Sequence, residues 1–167
     1  MKRSSFKPAA ILTSLALFSC LGAGSALARD FDAPIDSLAG FTLGQTWDEV
    51  KTAPGFAPAP HLDSMTKKAG VIRKTTFLGF PVRSVYLYFK DGKLDRVSIS
   101  GVQASESGLV TAMAARYGDP GPVEKTAGGR HFYIWKGKTG RIVARRVGTS
   151  TTDSKWRIFL EPLRAGP

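Results

Sequence analysis

Val82-Arg83-Ser84-Val85-Tyr86-Leu87-Tyr88-Phe89-Lys90-Asp91-Gly92-Lys93-Leu94-Asp95-Arg96-Val97-Ser98-Ile99-Ser100-Gly101 is the stretch whose reading decides the fold. Two Tyr- and Val-rich runs flank Asp91-Gly92, a strong turn signal, so the stretch is predicted to be an antiparallel hairpin. Turn length then decides which side chains reach the core. A two-residue Asp91-Gly92 turn puts Val97 on the face of Tyr86 and Tyr88. A three-residue turn with Gly92 in a left-handed bulge instead gathers Val85, Leu87, Phe89, Val97 and Ile99 on one face. The second is expected because it collects five apolar side chains. Tyr86, Tyr88, Arg96 and Ser98 are then left on a partly wet face.

Upstream, Thr46-Trp47-Asp48-Glu49 fits a capping box, in which hydroxyl and carboxylate each take a free amide of the first helical turn. Pro54-Gly55 stops this short helix, and Pro58, Pro60 and the mixed run to Lys68 read as an irregular connection. Downstream, apolar residues recur at helical spacing from about Ser105 to Tyr117, through Leu109 or Val110 and Met113 or Ala114. Gly118 and Pro120 end that helix. Strands are predicted at Arg130 to Trp135, Arg141 to Val147 and Trp156 to Leu160, the first two joined at Lys136-Gly137-Lys138-Thr139-Gly140. The order helix, strands, helix, strands predicts an α+β fold: an antiparallel sheet with two short helices packed on one face. It also allows an internal duplication into two αβββ repeats, at 41–101 and 104–161, within a single domain over 29–167.

Residues 1–28 read as an export signal. Lys2, Arg3 and Lys7 precede an apolar run from Ala9 to Gly24, and Ala26-Leu27-Ala28 offers a small-x-small cleavage site. The mature chain is therefore expected in the periplasm or secreted, without a transmembrane segment. The alternative is lipid anchoring at Cys20, since Leu17-Phe18-Ser19-Cys20 is similar to a lipobox with bulky Phe18 where a small residue is preferred. Cys20 is the sole cysteine, so a chain cut after Ala28 makes no disulfide and binds no metal through sulfur. No cofactor is expected.

The chain carries a formal charge of +11. Three of its cations and none of its acids precede Arg29, leaving +8 on the mature chain. From Lys125 to Thr152 there is no carboxylate, while Lys125, Arg130, Lys136, Lys138, Arg141, Arg145 and Arg146 fall within the stretch. Lys67, Lys68, Arg73 and Lys74 form a second basic group. Such a surface favours anionic partners at long range. In the envelope these are an anionic component, such as lipid headgroups, lipopolysaccharide phosphates or cell-wall carboxylates, or an acidic protein; nucleic acid is not expected.

Chemistry-bearing motifs are absent. No Gly-x-Ser-x-Gly elbow or Ser-x-x-Lys motif occurs, and Gly128-Gly129-Arg130 lacks the Lys-Ser/Thr ending of a phosphate loop. His61 and His131 are the only histidines, and a hydrolase of an anionic polymer would need both as acid and base. That is the alternative function; a structural accessory subunit of an envelope complex is a second one. Neither histidine has a second metal ligand at helical or hairpin spacing. Trp47 and Trp156 are expected in the core. If Phe132 and Ile134 also face inward, then His131, Tyr133 and Trp135 form an aromatic stripe on the outer face. With Arg141, Arg145 and Arg146 that stripe is the expected binding surface of a non-enzymatic protein, rings giving contact area and Arg forks matching phosphate or carboxylate.

Leu43-Gly44-Gln45-Thr46-Trp47-Asp48-Glu49-Val50 resembles the Gly-x-Thr-x-x-Glu-Val helix opening of the superfamily that includes the SmpA/OmlA outer-membrane-assembly lipoproteins and the β-lactamase-inhibitor proteins. Arg116-Tyr117-Gly118-Asp119-Pro120, with Trp135 downstream, is similar to the helix stop and following strand of that superfamily. The resemblance implies a helix-on-sheet unit, twice repeated, that binds proteins or envelope lipids without catalysis.

Overall fold

A computed structural model describes residues 35–63, 67–121, 124–125, 131–147 and 155–163. The expected signal segment, Cys20 included, and the side chains of Lys67 and His131 lie outside the described part. The chain enters through a small hairpin of β1 (Ser37–Leu38) and β2 (Phe41–Thr42), followed by the one-turn helix α1 (Trp47–Val50). The capping box forms as predicted: Glu49 N donates to Thr46 Oγ1 at 3.3 Å and Thr46 N donates to Glu49 Oε2 at 2.6 Å. The bond from Thr46 N, and after it one that Thr46 Oγ1 donates to the same Oε2 at 2.7 Å, hold the Glu49 carboxyl below its ordinary pKa.

Four strands follow: β3 (Phe56–Pro58), β4 (Lys67–Phe77), β5 (Phe80–Lys90) and β6 (Lys93–Gln103), with a 3-10 turn over Pro60–Leu62 between the first two. Helix α2 (Glu106–Tyr117) is capped by Ser105 and stopped at Gly118, whose φ is +76°. Then come β7 (Glu124–Lys125), β8 (His131–Lys136), β9 (Gly140–Val147) and β10 (Lys155–Pro162). All eight strands from β3 onward form one antiparallel sheet in the order β3-β4-β5-β6-β10-β9-β8-β7. The fold is α+β, as expected. The irregular connection is shorter than predicted, because β4 already begins at Lys67.

The element order runs twice through helix, short edge strand and three-stranded meander, and the last strands of the two passes, β6 and β10, meet at the centre of the sheet. One face of the sheet carries the core. Val85, Leu87, Phe89, Val97, Ile99, Ile158, Leu160, Ile142 and Trp135 pack there with Val50 of α1 and Leu109 and Met113 of α2. Leu38 of the small hairpin joins the same cluster.

The five apolar residues of the deciding hairpin do share that face, by a different device from the one expected. Lys90 pairs with Lys93, so the turn has two residues, Asp91 at φ +51° and Gly92 at φ +76°. Phe89 then pairs with Leu94 but Tyr88 with Arg96, so Asp95 is an extra residue in β6. This bulge shifts the alternation by one, which brings Leu94 and Val97 onto the same side. A second bulge falls at Gly101, since Trp156 pairs with Val102 while Arg157 pairs with Ser100.

Candidate binding face

The expected aromatic stripe lies on the opposite side of the sheet from the one predicted. Trp135 is 1% exposed and Tyr133 packs against the core cluster, while Phe132 and Ile134 take the other face, which carries no α-helix among the described residues and is called the helix-free face below. The cause is hydrogen bonding at the ends of α2. Trp156 Nε1 donates to Ala104 O at 3.2 Å, just before the helix, and Trp135 Nε1 donates to Gly118 O at 2.7 Å, just after it. Tyr133 Oη donates to Glu106 Oε1 at 2.5 Å in the first turn. A buried indole or phenol donor without a partner costs about 1–3 kcal/mol, so these rings turn toward the helix and pin it to the sheet. Burial first, then the bond to Glu106, pushes the Tyr133 pKa up to about 12.

The predicted surface is therefore divided. Tyr133 and Trp135 belong to the core side, and Arg146, paired with Trp156, takes the same side. Arg141 and Arg145 take the helix-free side, where Arg145 pairs with Phe132 and Arg157. His131 is placed only as the first residue of β8. His61 sits in the 3-10 turn beside β4, at the other side of the sheet. Five strand spacings separate β4 from β8, roughly 24 Å at the usual interval, so the two histidines are not brought together.

The helix-free face is ordered in three rows that cross the sheet. The middle row is Val71, Tyr86, Ser98, Phe159, Val143 and Ile134, each paired with the next. One flanking row is Arg73, Ser84, Ser100, Arg157, Arg145 and Phe132. The other runs Ala69, Tyr88, Arg96, then Glu161, Arg141 and Lys136. An aromatic and aliphatic stripe thus lies between two basic ones. Tyr86, Tyr88, Arg96 and Ser98 take this face, as expected from the hairpin, but Ser98 is buried on it, hemmed in by its row neighbours Tyr86 and Phe159.

The two basic rows differ electrostatically. Glu161 accepts from Arg96 Nη2 at 3.1 Å and from Arg141 Nε and Nη2 at 2.9 and 2.6 Å, so one carboxylate offsets two guanidinium groups. In the other row Arg145 lies over the Phe159 ring at 5.1 Å, which fixes the guanidinium without cancelling its charge. Burial, then the neighbouring Tyr86, raises the Tyr88 pKa against the pull of Arg96 and Arg157, so its hydroxyl stays a neutral donor. Sequence reasoning missed Arg157, Phe159 and Arg73 as members of this face. Their signal is alternation against Ile158 and Leu160, and in β4 against Ile72.

No family model, curated protein or solved structure matches the chain. The arrangement on the face is thus the basis for any functional reading.

Proposed function

We propose that this is an exported, non-enzymatic binding protein of the bacterial envelope, and that its helix-free sheet face docks an acidic protein. The observation that carries this is the registered set of rows: the half-buried Tyr86, Phe159 and Val143 between Arg73, Arg157 and Arg145 on one side and Arg96 and Arg141 on the other. Tyr and Arg around an apolar centre are the residue types that dominate protein interfaces. A purely lipid or polymer surface would use the charge and leave the central stripe without a task. The proposal extends to kinship with the SmpA/OmlA and β-lactamase-inhibitor superfamily as a tandem repeat. Its support is the twice-run element order with β6 against β10.

The test is capture from envelope extract on immobilised mature protein, at low and high salt, with Phe159→Asp and Arg145→Glu in parallel. The expected result is a protein partner that both variants lose and high salt weakens. Retention by both variants, or recovery of lipid or polymer alone, would overturn the acidic-protein reading.

A further inference from the structure

We infer that the end of the large sheet where the β5–β6 and β8–β9 turns lie is a docking surface for an anionic lipid bilayer. This goes beyond the protein-docking reading of the helix-free face and does not rest on it. Strand register brings five exposed lysines to this end: Lys68 near the start of β4, Lys90 and Lys93 flanking the two-residue turn, Lys136 at the end of β8 and Lys138 in the turn after it. From β4 to β8 they span five strand spacings, roughly 24 Å. None of the five is ion-paired among the described residues.

The carboxylates at this end do not offset the lysines. On the strands and turns of the large sheet there, Glu161 is held by Arg96 and Arg141, which leaves Asp91 and Asp95 against the five. Beside the sheet, Lys51 holds Asp48 and the Ala69 amide holds Asp63. The chain segments that continue from this end, 64–66 and 164–167, contain Arg164 and no Asp or Glu. Residues 29–34 bring Arg29, Asp30 and Asp32, a single negative charge net, which Arg164 balances.

The residue type identifies the partner. Lysine is depleted at protein interfaces, where Arg forks are preferred, and the helix-free face is accordingly built on arginines. A bilayer asks only for charge spread over a surface, and a lysine beside anionic headgroups strengthens binding about fivefold. Leu163, 43% exposed, donates its amide to Thr139 O and so sits beside the Lys138 turn. An apolar side chain among cations is the combination that interfacial binding uses. The chain also joins the fold here, since Ile35 O lies against Gly140, the first residue of β9, and Thr46 bridges to Lys93. Any membrane tether preceding Ile35 is thus attached at the end that bears the lysines.

The test is co-sedimentation of the mature protein with vesicles of phosphatidylcholine, alone and mixed with phosphatidylglycerol, at low and high salt. Binding is expected only to the anionic vesicles, and high salt should weaken it. Lys90→Gln with Lys93→Gln, and Lys136→Gln with Lys138→Gln, should each weaken it about fivefold or more. Lys74→Gln, exposed on β4 toward the opposite end, should change it less than about twofold, because screening confines the effect to charges near the surface. Orientation is read separately. A chain cut after Ala28 has no cysteine, so Leu163→Cys and Val147→Cys each carry one polarity-sensitive fluorophore. Anionic vesicles should shift the emission to the blue at position 163 and leave position 147, at the opposite end of β9, unchanged. No binding to anionic vesicles, equal losses with Lys74→Gln and the two pairs, or an equal blue shift at position 147 would overturn the inference. An envelope protein whose capture the lysine pairs abolish, without vesicle binding, would assign this end to a protein instead. Phe159→Asp keeps the two proposals apart: it should abolish capture of the acidic partner and leave vesicle binding unchanged. Loss of vesicle binding in that variant would move lipid contact to the helix-free face and overturn the placement.

Discussion

Ser84 Oγ is buried between β4 and β6 and makes no hydrogen bond, although Ser84 itself is only 1% exposed. A buried unsatisfied hydroxyl costs about 1–3 kcal/mol, so its removal relieves a penalty and leaves a space the size of one oxygen. Ser84→Ala is expected to be neutral or to stabilise by up to ~1 kcal/mol, read as a higher urea midpoint at unchanged slope; a drop in the midpoint would contradict this. Tyr133 gives a residue-scale prediction of another kind. Its folded pKa of about 12 lies above the ordinary phenol value of 10.0, chiefly through burial. The folded state therefore prefers the protonated phenol. The contribution is complete below about pH 10 and is lost as pH rises toward about 12. The informative quantity is the difference from Tyr133→Phe, which isolates this phenol from everything else that strong alkali changes. Wild type should lose more stability than the variant between those limits, and parallel curves would show that Tyr133 is not the group responsible.

At the scale of elements, legibility followed how far each decision was local. The capping box, both helices and the deciding hairpin are written in adjacent residues, and they formed. Strand β4 is not, because Lys67-Lys68-Ala69-Gly70 shows no apolar alternation. Its missing side chains are supplied from elsewhere: the Phe56 ring covers Gly70, and Leu62, Tyr86 and Tyr88 pack around Ala69. The side taken by the β8 aromatics was likewise undetermined, since Phe132 and Ile134 alternate as well as Tyr133 and Trp135 do. Carbonyls at the ends of α2 settled it, and strand periodicity carries no record of them. Of the predicted surface, Arg141 and Arg145 remain on the helix-free face because their phase is local: they alternate with the buried Ile142 and Ala144. Gly70 makes the non-local dependence testable. A methyl there would collide with Phe56, whose ring also sits edge-on to Trp47 at 5.2 Å. Gly70→Ala should cost about 1–3 kcal/mol. Adding Phe56→Ala should give a double variant less unstable than the two single losses combined, because the collision is then gone. Strict additivity in chemical denaturation would refute the covering role.

For the whole molecule, the seam between β6 and β10 decides whether the two passes of helix and meander are independent units. Each pass alone is about sixty residues long, a size at which a chain buries only about 60% of its unfolded surface and is marginal. The seam joins their most buried strands: Val97, Ile99 and Val102 on one side, Trp156, Ile158 and Leu160 on the other, all at 0% exposure. Separating the halves would leave an eleven-residue β6 with an open hydrogen-bonding edge and an uncovered apolar face, a template for aggregation. Helix α1, with four residues, is too short to shield it. Fragments 29–103 and 104–167 should therefore each fail to fold or self-associate when expressed alone. Co-expressed, they should assemble one-to-one with the far-ultraviolet spectrum of the intact chain. The measurement is size-exclusion chromatography with circular dichroism on each fragment and on the mixture. A monomeric fragment with a cooperative thermal transition would show that the half is a domain in its own right, and the central pairing would then be a contact between domains instead of the core of one.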